Sequence, residues 1–153
     1  MTNWQALVIF TYSSIGAIGA IRGYAACLHD RKTLVWTPQF YMYGAFVWGD
    51  IVILGSFWLL VGLISLALQD VLLFLTIFSL FWFVRGAGES IFWFLQQYST
   101  VIRYAPHALP GHHIFGDDSI WFVYQVVAQL VTVISLVVSL ILVPLWLGSL
   151  GIL

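Results

Sequence analysis

Apolar residues fall in long unbroken runs, without the strict alternation of a half-buried strand. The first runs from about Gln5 to Cys27 and is closed by the polar block His29-Asp30-Arg31-Lys32. A helix rising about 1.5 Å per residue over that run crosses a hydrocarbon core of about 30 Å. A second apolar stretch reaches from about Phe40 to Leu95, too long for one crossing, and its least apolar interior point is Gln69-Asp70. Cutting it there predicts helices over about 41–68 and 71–95, joined by a tight turn that lacks the Gly, Pro or Asn that usually favours one. A fourth helix is expected over about 120–147, with Asp117, Asp118 or Ser119 placed to cap its N-terminus.

Two polar connections remain, about 28–40 and 96–119. The second holds Pro106, Pro110, Gly111, Gly116, His107, His112, His113 and the Asp117-Asp118 pair. The pattern therefore predicts an all-α polytopic membrane protein: a bundle of four transmembrane helices forming one domain over residues 1–153. Four crossings put both connections on the same side of the bilayer. Arg31, Lys32 and Arg103 all lie in them, whereas the two tails and the Gln69-Asp70 turn carry no Lys or Arg. The positive-inside rule then makes both connections cytoplasmic and both termini non-cytoplasmic.

Composition agrees with this solvent. Hydrophobic residues make up 62% of the chain and charged residues 7%, too few charges to cover the surface of a soluble domain. Aromatic residues make up 18% of the chain, eight of them Trp, and many lie near the ends of the apolar runs, at the headgroup level that suits them. A net charge of −1 gives no basic surface for nucleic acid or for strong adhesion to anionic lipid. The single cysteine, Cys27, excludes an internal disulfide, a CxxC redox pair and a cysteine-based zinc site. The opening MTNWQALVIF lacks the basic head of a secretory signal and reads as the start of a retained helix.

Four charges lie inside the runs: Arg22, Asp50, Arg85 and Glu89. Counted from the outer helix ends, Arg22, Asp50 and Glu89 fall about 18, 20 and 19 residues along, so at about 1.5 Å per residue they share one depth. Arg85 is a turn deeper on the face of Glu89. Gln125 and Gln129 of the last helix fall at a comparable level. An isolated charge at the bilayer centre costs about 2.5 to 3.5 kcal/mol or more, and two Arg with two acids sum to zero. The six side chains are therefore expected to form one inward-facing, mutually compensating network, either fixing helix register or marking a transport path.

Small residues supply packing faces. Gly16, Gly19 and Gly23 align with Tyr12 on the first helix, and Ala45 and Gly49 have small-xxx-small spacing within the predicted second helix. Such faces bring helices close, within a chain or between copies.

The loop residues His107, His112, His113, Asp117 and Asp118 are of metal-ligand type. Their spacing matches no HExxH, helical HxxxH or Glu-x-x-His motif, so a solvated interfacial loop is expected and no metal or cofactor is assigned. Lys32 is the only lysine and lies in a connection, which excludes a Schiff base within the helices. The spans contain no histidine for a bis-histidine haem, and the chain has no GxSxG or Walker loop. Length and helix number resemble small multidrug-resistance exporters and dual-topology fluoride channels. The first span nevertheless lacks the exporters' embedded glutamate, the channels' helix motifs are not found, and the loop charge asymmetry opposes dual insertion. The function expected is a structural or assembly role, as a homo-oligomer or as a subunit of a membrane complex, with the lipid bilayer as constant partner. The alternatives are a small transporter or channel using the charged cluster, and a membrane enzyme using the His/Asp loop.

Overall fold

The computed structural model describes residues 1–101, 104–115 and 119–152. The chain is all-α, and four of its helices are long and apolar enough to cross a membrane: α1 (Asn3–His29), α2 (Trp48–Ala67), α3 (Val71–Tyr98) and α5 (Ser119–Ser149). A single turn, α4 (His112–Phe115), and 3-10 helices at Pro38–Tyr43 and Pro106–Ala108 lie in the connections. Two compact units divide the chain, Met1–Ile77 and Phe78–Leu153.

In the first unit α1 starts at a capping box. Thr2 Oγ1 accepts from the Gln5 amide at 3.3 Å, and Gln5 Oε1 accepts from the Thr2 amide at 2.7 Å, so two donors that the first turn leaves unpaired are satisfied. α1 then packs antiparallel on α2 along small residues. The carbonyl oxygen of Gly16 presses on Gly55 where any side chain would stand, and Ser13 does the same to Gly62. At the other end Gly23 meets Ile51, Val52 and the carbonyl oxygen of Trp48. Only hydrogen-sized side chains let the two backbones approach this closely.

The second helix begins at Trp48, seven residues later than its apolar pattern predicts. Residues 41–47 are not part of it, so Ala45 is not on its surface and the Ala45/Gly49 helical spacing does not hold. Instead Pro38 opens a 3-10 helix that closes on Gly44, whose φ of 73° is open to glycine at little cost. The flanks pair with each other. The Thr37 amide donates to Phe46 at 2.9 Å, the Trp48 amide to Val35 at 3.2 Å and the Gly49 amide to Thr33 at 2.9 Å, around an isolated bridge between Trp36 and Val47. Gly49 packs against Thr33 of this loop.

The tip of the loop turns back along the helices. Phe40 lies on Gly19 and Tyr43 on Gly16. Tyr12 donates from its hydroxyl to the Met42 carbonyl at 2.7 Å, Tyr43 donates to the Tyr12 carbonyl at 2.8 Å, and the two rings stack 4.4 Å apart. Trp58, buried at the middle of α2, donates from Nε1 to the Tyr43 carbonyl at 3.2 Å. Ten residues separate Trp58 from the start of α2 at Trp48, which is about 15 Å of helix. Irregular backbone thus reaches mid-height of the helix pair, sealed by aromatic rings.

α2 and α3 meet where the least apolar point predicts. The turn is made by Gln69 in the left-handed region, φ 54°, and by Asp70, whose Oδ1 accepts from the Leu73 amide at 3.0 Å. Asp70 is therefore the N-cap of α3, which explains how a turn without Gly, Pro or Asn can form.

In the second unit α3 and α5 approach at Gly86, where a side chain would meet Thr132 and the Ala128 carbonyl, and at Ser139, which donates to Ser79 at 3.0 Å. The connection predicted as irregular from 96 to 119 is partly ordered. α3 continues to Tyr98, and the 3-10 helix and α4 follow. Trp121 Nε1 donates to the Tyr104 carbonyl at 3.0 Å, the Tyr124 hydroxyl to Pro110 at 3.2 Å, and Leu109 is buried, so the connection is fastened to the start of α5. Asp117 and Asp118, two of the expected caps, lie outside the described residues; Ser119 is the first residue of α5. Pro144 sits inside α5, where it withholds one amide from the helix ladder.

Candidate functional site

The polar side chains inside the apolar helices are the candidates, and each unit positions its own. In the second unit Arg85 and Glu89 stand one helical turn apart and form an ion pair of 3.1 Å, with 28% and 18% of their side chains exposed. The second carboxylate oxygen of Glu89 accepts from Trp93 Nε1, also at 3.1 Å. One acid thus takes a charge-assisted bond on each oxygen, the arrangement that offsets its removal from water. Gln96, on the same face and buried, donates to the Val101 carbonyl at 3.3 Å.

A second polar group joins α3 to α5. Gln97 Nε2 donates to Gln125 Oε1 at 2.6 Å and to the Trp93 carbonyl at 3.2 Å. Beside this pair an open groove of about 290 Å³ is lined by Ser90, Ile91, Phe94, Gln125 and Gln129. Ser90 turns its hydroxyl back to the Gly86 carbonyl at 2.8 Å. Gln129 is exposed, and among the described residues its amide has no hydrogen-bond partner. It lies ten residues into α5, about 15 Å from the helix start.

In the first unit the expected partners Arg22 and Asp50 do not pair. Asp50 is half-buried in the first turn of α2, and its Oδ2 accepts from the Phe46 amide at 3.1 Å, closing the turn that launches the helix. Arg22 is exposed and makes no ion pair among the described residues. The reason is angular. Gly16, Gly19 and Gly23 define the face of α1 that α2 covers, while Arg22 shares the stripe of Thr11, Ile15 and Ile18, all exposed. Depth along a helix is legible from a residue count, but rotation about its axis is not, and Arg22 lies off the inward face expected for it.

The small residues do different work from one another. Gly16, Gly19 and Gly23 are buried under Tyr43, Phe40 and Ile51, whereas a side chain at Gly49 would meet the loop residue Thr33 and not α1. The sequence pattern does not single out Gly55 and Gly62, which complete the seam, or Tyr43 and Trp58, which with Tyr12 of the glycine face hold the inserted loop. The Pro38 and Gly44 bracket was the available signal for that loop.

His107, His112 and His113 are exposed, with the rings of His112 and His113 5.9 Å apart. Among the described residues no three His, Cys, Asp or Glu side chains gather as metal ligands, and Asp117 and Asp118 lie outside those residues. No protein-family model matches the chain, and no significant match is found among curated proteins or solved structures.

Proposed function

We propose that this chain is a multi-pass membrane protein with an assembly role, which associates with a second copy of itself through the groove between α3 and α5. The unpaired amide of Gln129 carries this reading. A primary amide facing hydrocarbon lacks hydrogen bonds that water would supply, and polar side chains at such positions join transmembrane helices. A carboxamide is both donor and acceptor, so two copies of Gln129 satisfy one another across a two-fold axis. Gln125 adds to this, because its oxygen is taken by Gln97 while its NH₂ donors remain. The orientation proposed with it puts both termini on the non-cytoplasmic side, and its support is the positive-inside rule applied to Arg31, Lys32 and Arg103.

The engaged state of Glu89 favours this reading over transport. Both of its oxygens hold protein donors, which suits a register-fixing acid better than one that must exchange ions. The test is disulfide trapping in a Cys27→Ser background. Gln129→Cys is expected to form a cross-linked dimer in membranes, while cysteine at Leu140, an exposed residue beyond the groove, forms much less. Gln129→Leu is expected to shift the chain towards monomer in detergent. A monomer that neither change affects would refute the assignment.

A further inference from the structure

Arg22 is a full charge on an exposed face of a helix otherwise built for hydrocarbon. Its neighbours one and two turns towards the N-terminus on that stripe, Ile18 and Ile15, are 52% and 46% exposed, so the stripe faces lipid on its apolar side. Seven residues beyond Arg22 the same stripe ends in His29, and seven residues of helix span about 10 Å. An arginine at this depth extends its stem along the apolar surface and brings its guanidinium up towards the polar boundary.

The charges at that end are unbalanced. Asp30 is held by Lys32 at 3.1 Å, so the loop's one acid is already neutralised. Asp50 is turned into the turn at Phe46. Arg22 and Arg31 are both exposed and without an ion pair among the described residues. The His29 ring is fixed by Nδ1 against the Ala25 carbonyl at 3.2 Å, which leaves Nε2 directed away from the helix. The unpaired guanidinium of Arg22 and the imidazole of His29 therefore share one strip of lipid-facing surface, and Arg31 follows two residues beyond its end.

From this charge complementarity we infer that the Arg22 face of α1 binds the phosphate of an anionic phospholipid, with the acyl chains lying along Ile18 and Ile15. The planar guanidinium takes two phosphate oxygens at once, and His29 bounds the headgroup from the loop side. Arg22 gives the site its depth: a phosphate drawn to it sits below the level of Arg31 and Lys32, which attract anionic lipid only as a diffuse surface. The ligand is the lipid itself, since free phosphate has no chains to place on the isoleucine stripe.

Native mass spectrometry of the full chain, with phosphatidylglycerol and phosphatidylcholine added in equal amounts, tests the site. Wild type is expected to retain phosphatidylglycerol several-fold over phosphatidylcholine, and Arg22→Gln to lose most of that preference. Arg31→Gln is expected to lose little, and inorganic phosphate is expected not to compete. Equal retention by wild type and Arg22→Gln would overturn the proposal, as would an equal loss in Arg31→Gln, which would reduce the effect to surface charge. Dissociation of a dimer by Arg22→Gln would overturn it by making Arg22 a contact between copies of the chain. Unchanged thermal midpoints across the variants show that the comparison is made on folded protein, and Arg22→Lys, which keeps charge without the planar fork, is expected to fall between wild type and Arg22→Gln.

Discussion

Arg22 and Arg85 look alike in the sequence, each a lone arginine within an apolar run, yet one is exposed and the other bridges to an acid one turn away. What separates them is local. Arg85 has Glu89 at i+4, a spacing that any helix brings together, whereas Arg22 needed a partner from another helix, and no residue count fixes which way it turns. The Arg85–Glu89 half of the expected network was therefore legible, and the Arg22–Asp50 half was not. A double-mutant cycle separates the two. Arg85→Gln and Glu89→Gln are expected to couple by about 0.5 to 3 kcal/mol, towards the lower end because both side chains are partly exposed. Arg22→Gln and Asp50→Asn are expected to add without coupling. Unfolding in mixed micelles reads both cycles, and a coupling of similar size in the second would show that Arg22 reaches Asp50 after all.

Element by element, the long helices α1, α3 and α5 emerge within a few residues of their apolar runs because nothing interrupts those runs. The start of α2 does not, and the cause is physical. Hydropathy reports that a segment is removed from water; it does not report the backbone that the segment adopts. Phe40, Tyr43, Ala45 and Val47 are buried as completely as helix residues, but they are buried in an inserted loop whose amides and carbonyls find partners in Tyr12, Trp58 and the loop's own flanks. Irregular backbone at membrane depth survives only where protein or enclosed water satisfies it, and here the aromatic hydroxyls and indole do so. Labelling tests the insertion. In a Cys27→Ser background, Arg31→Cys is expected to react rapidly with a water-soluble maleimide. Met42→Cys, although 64% exposed, is expected to react far more slowly because its exposed side faces lipid. Equal rates at the two positions would place the loop on the aqueous surface.

At the scale of the whole chain, the two tails, the turn at Gln69-Asp70 and the two longer connections differ in one property, the presence of Lys and Arg. Arg31 and Lys32 stand at the end of α1 and Arg103 in the connection after α3, an even number of crossings apart, so one orientation accommodates all three. Cytoplasmic retention of such residues is strongest in short connections close to the helix ends, and both connections are short. The orientation predicted has Thr2 outside and the His107–His113 segment inside. It also sets the leaflet in which Arg22 meets lipid, since Arg22 lies nearer the His29 end of α1, and anionic phospholipid is enriched in the cytoplasmic leaflet. Single cysteines at Thr2 and at His112, both exposed positions, report the sidedness in the Cys27→Ser background. With an impermeant maleimide and intact cells, Thr2→Cys is expected to label at once and His112→Cys only after permeabilisation. The reverse pattern would invert the molecule, and labelling of both from one side would mean that the number of crossings between them is even, which four spanning helices do not allow.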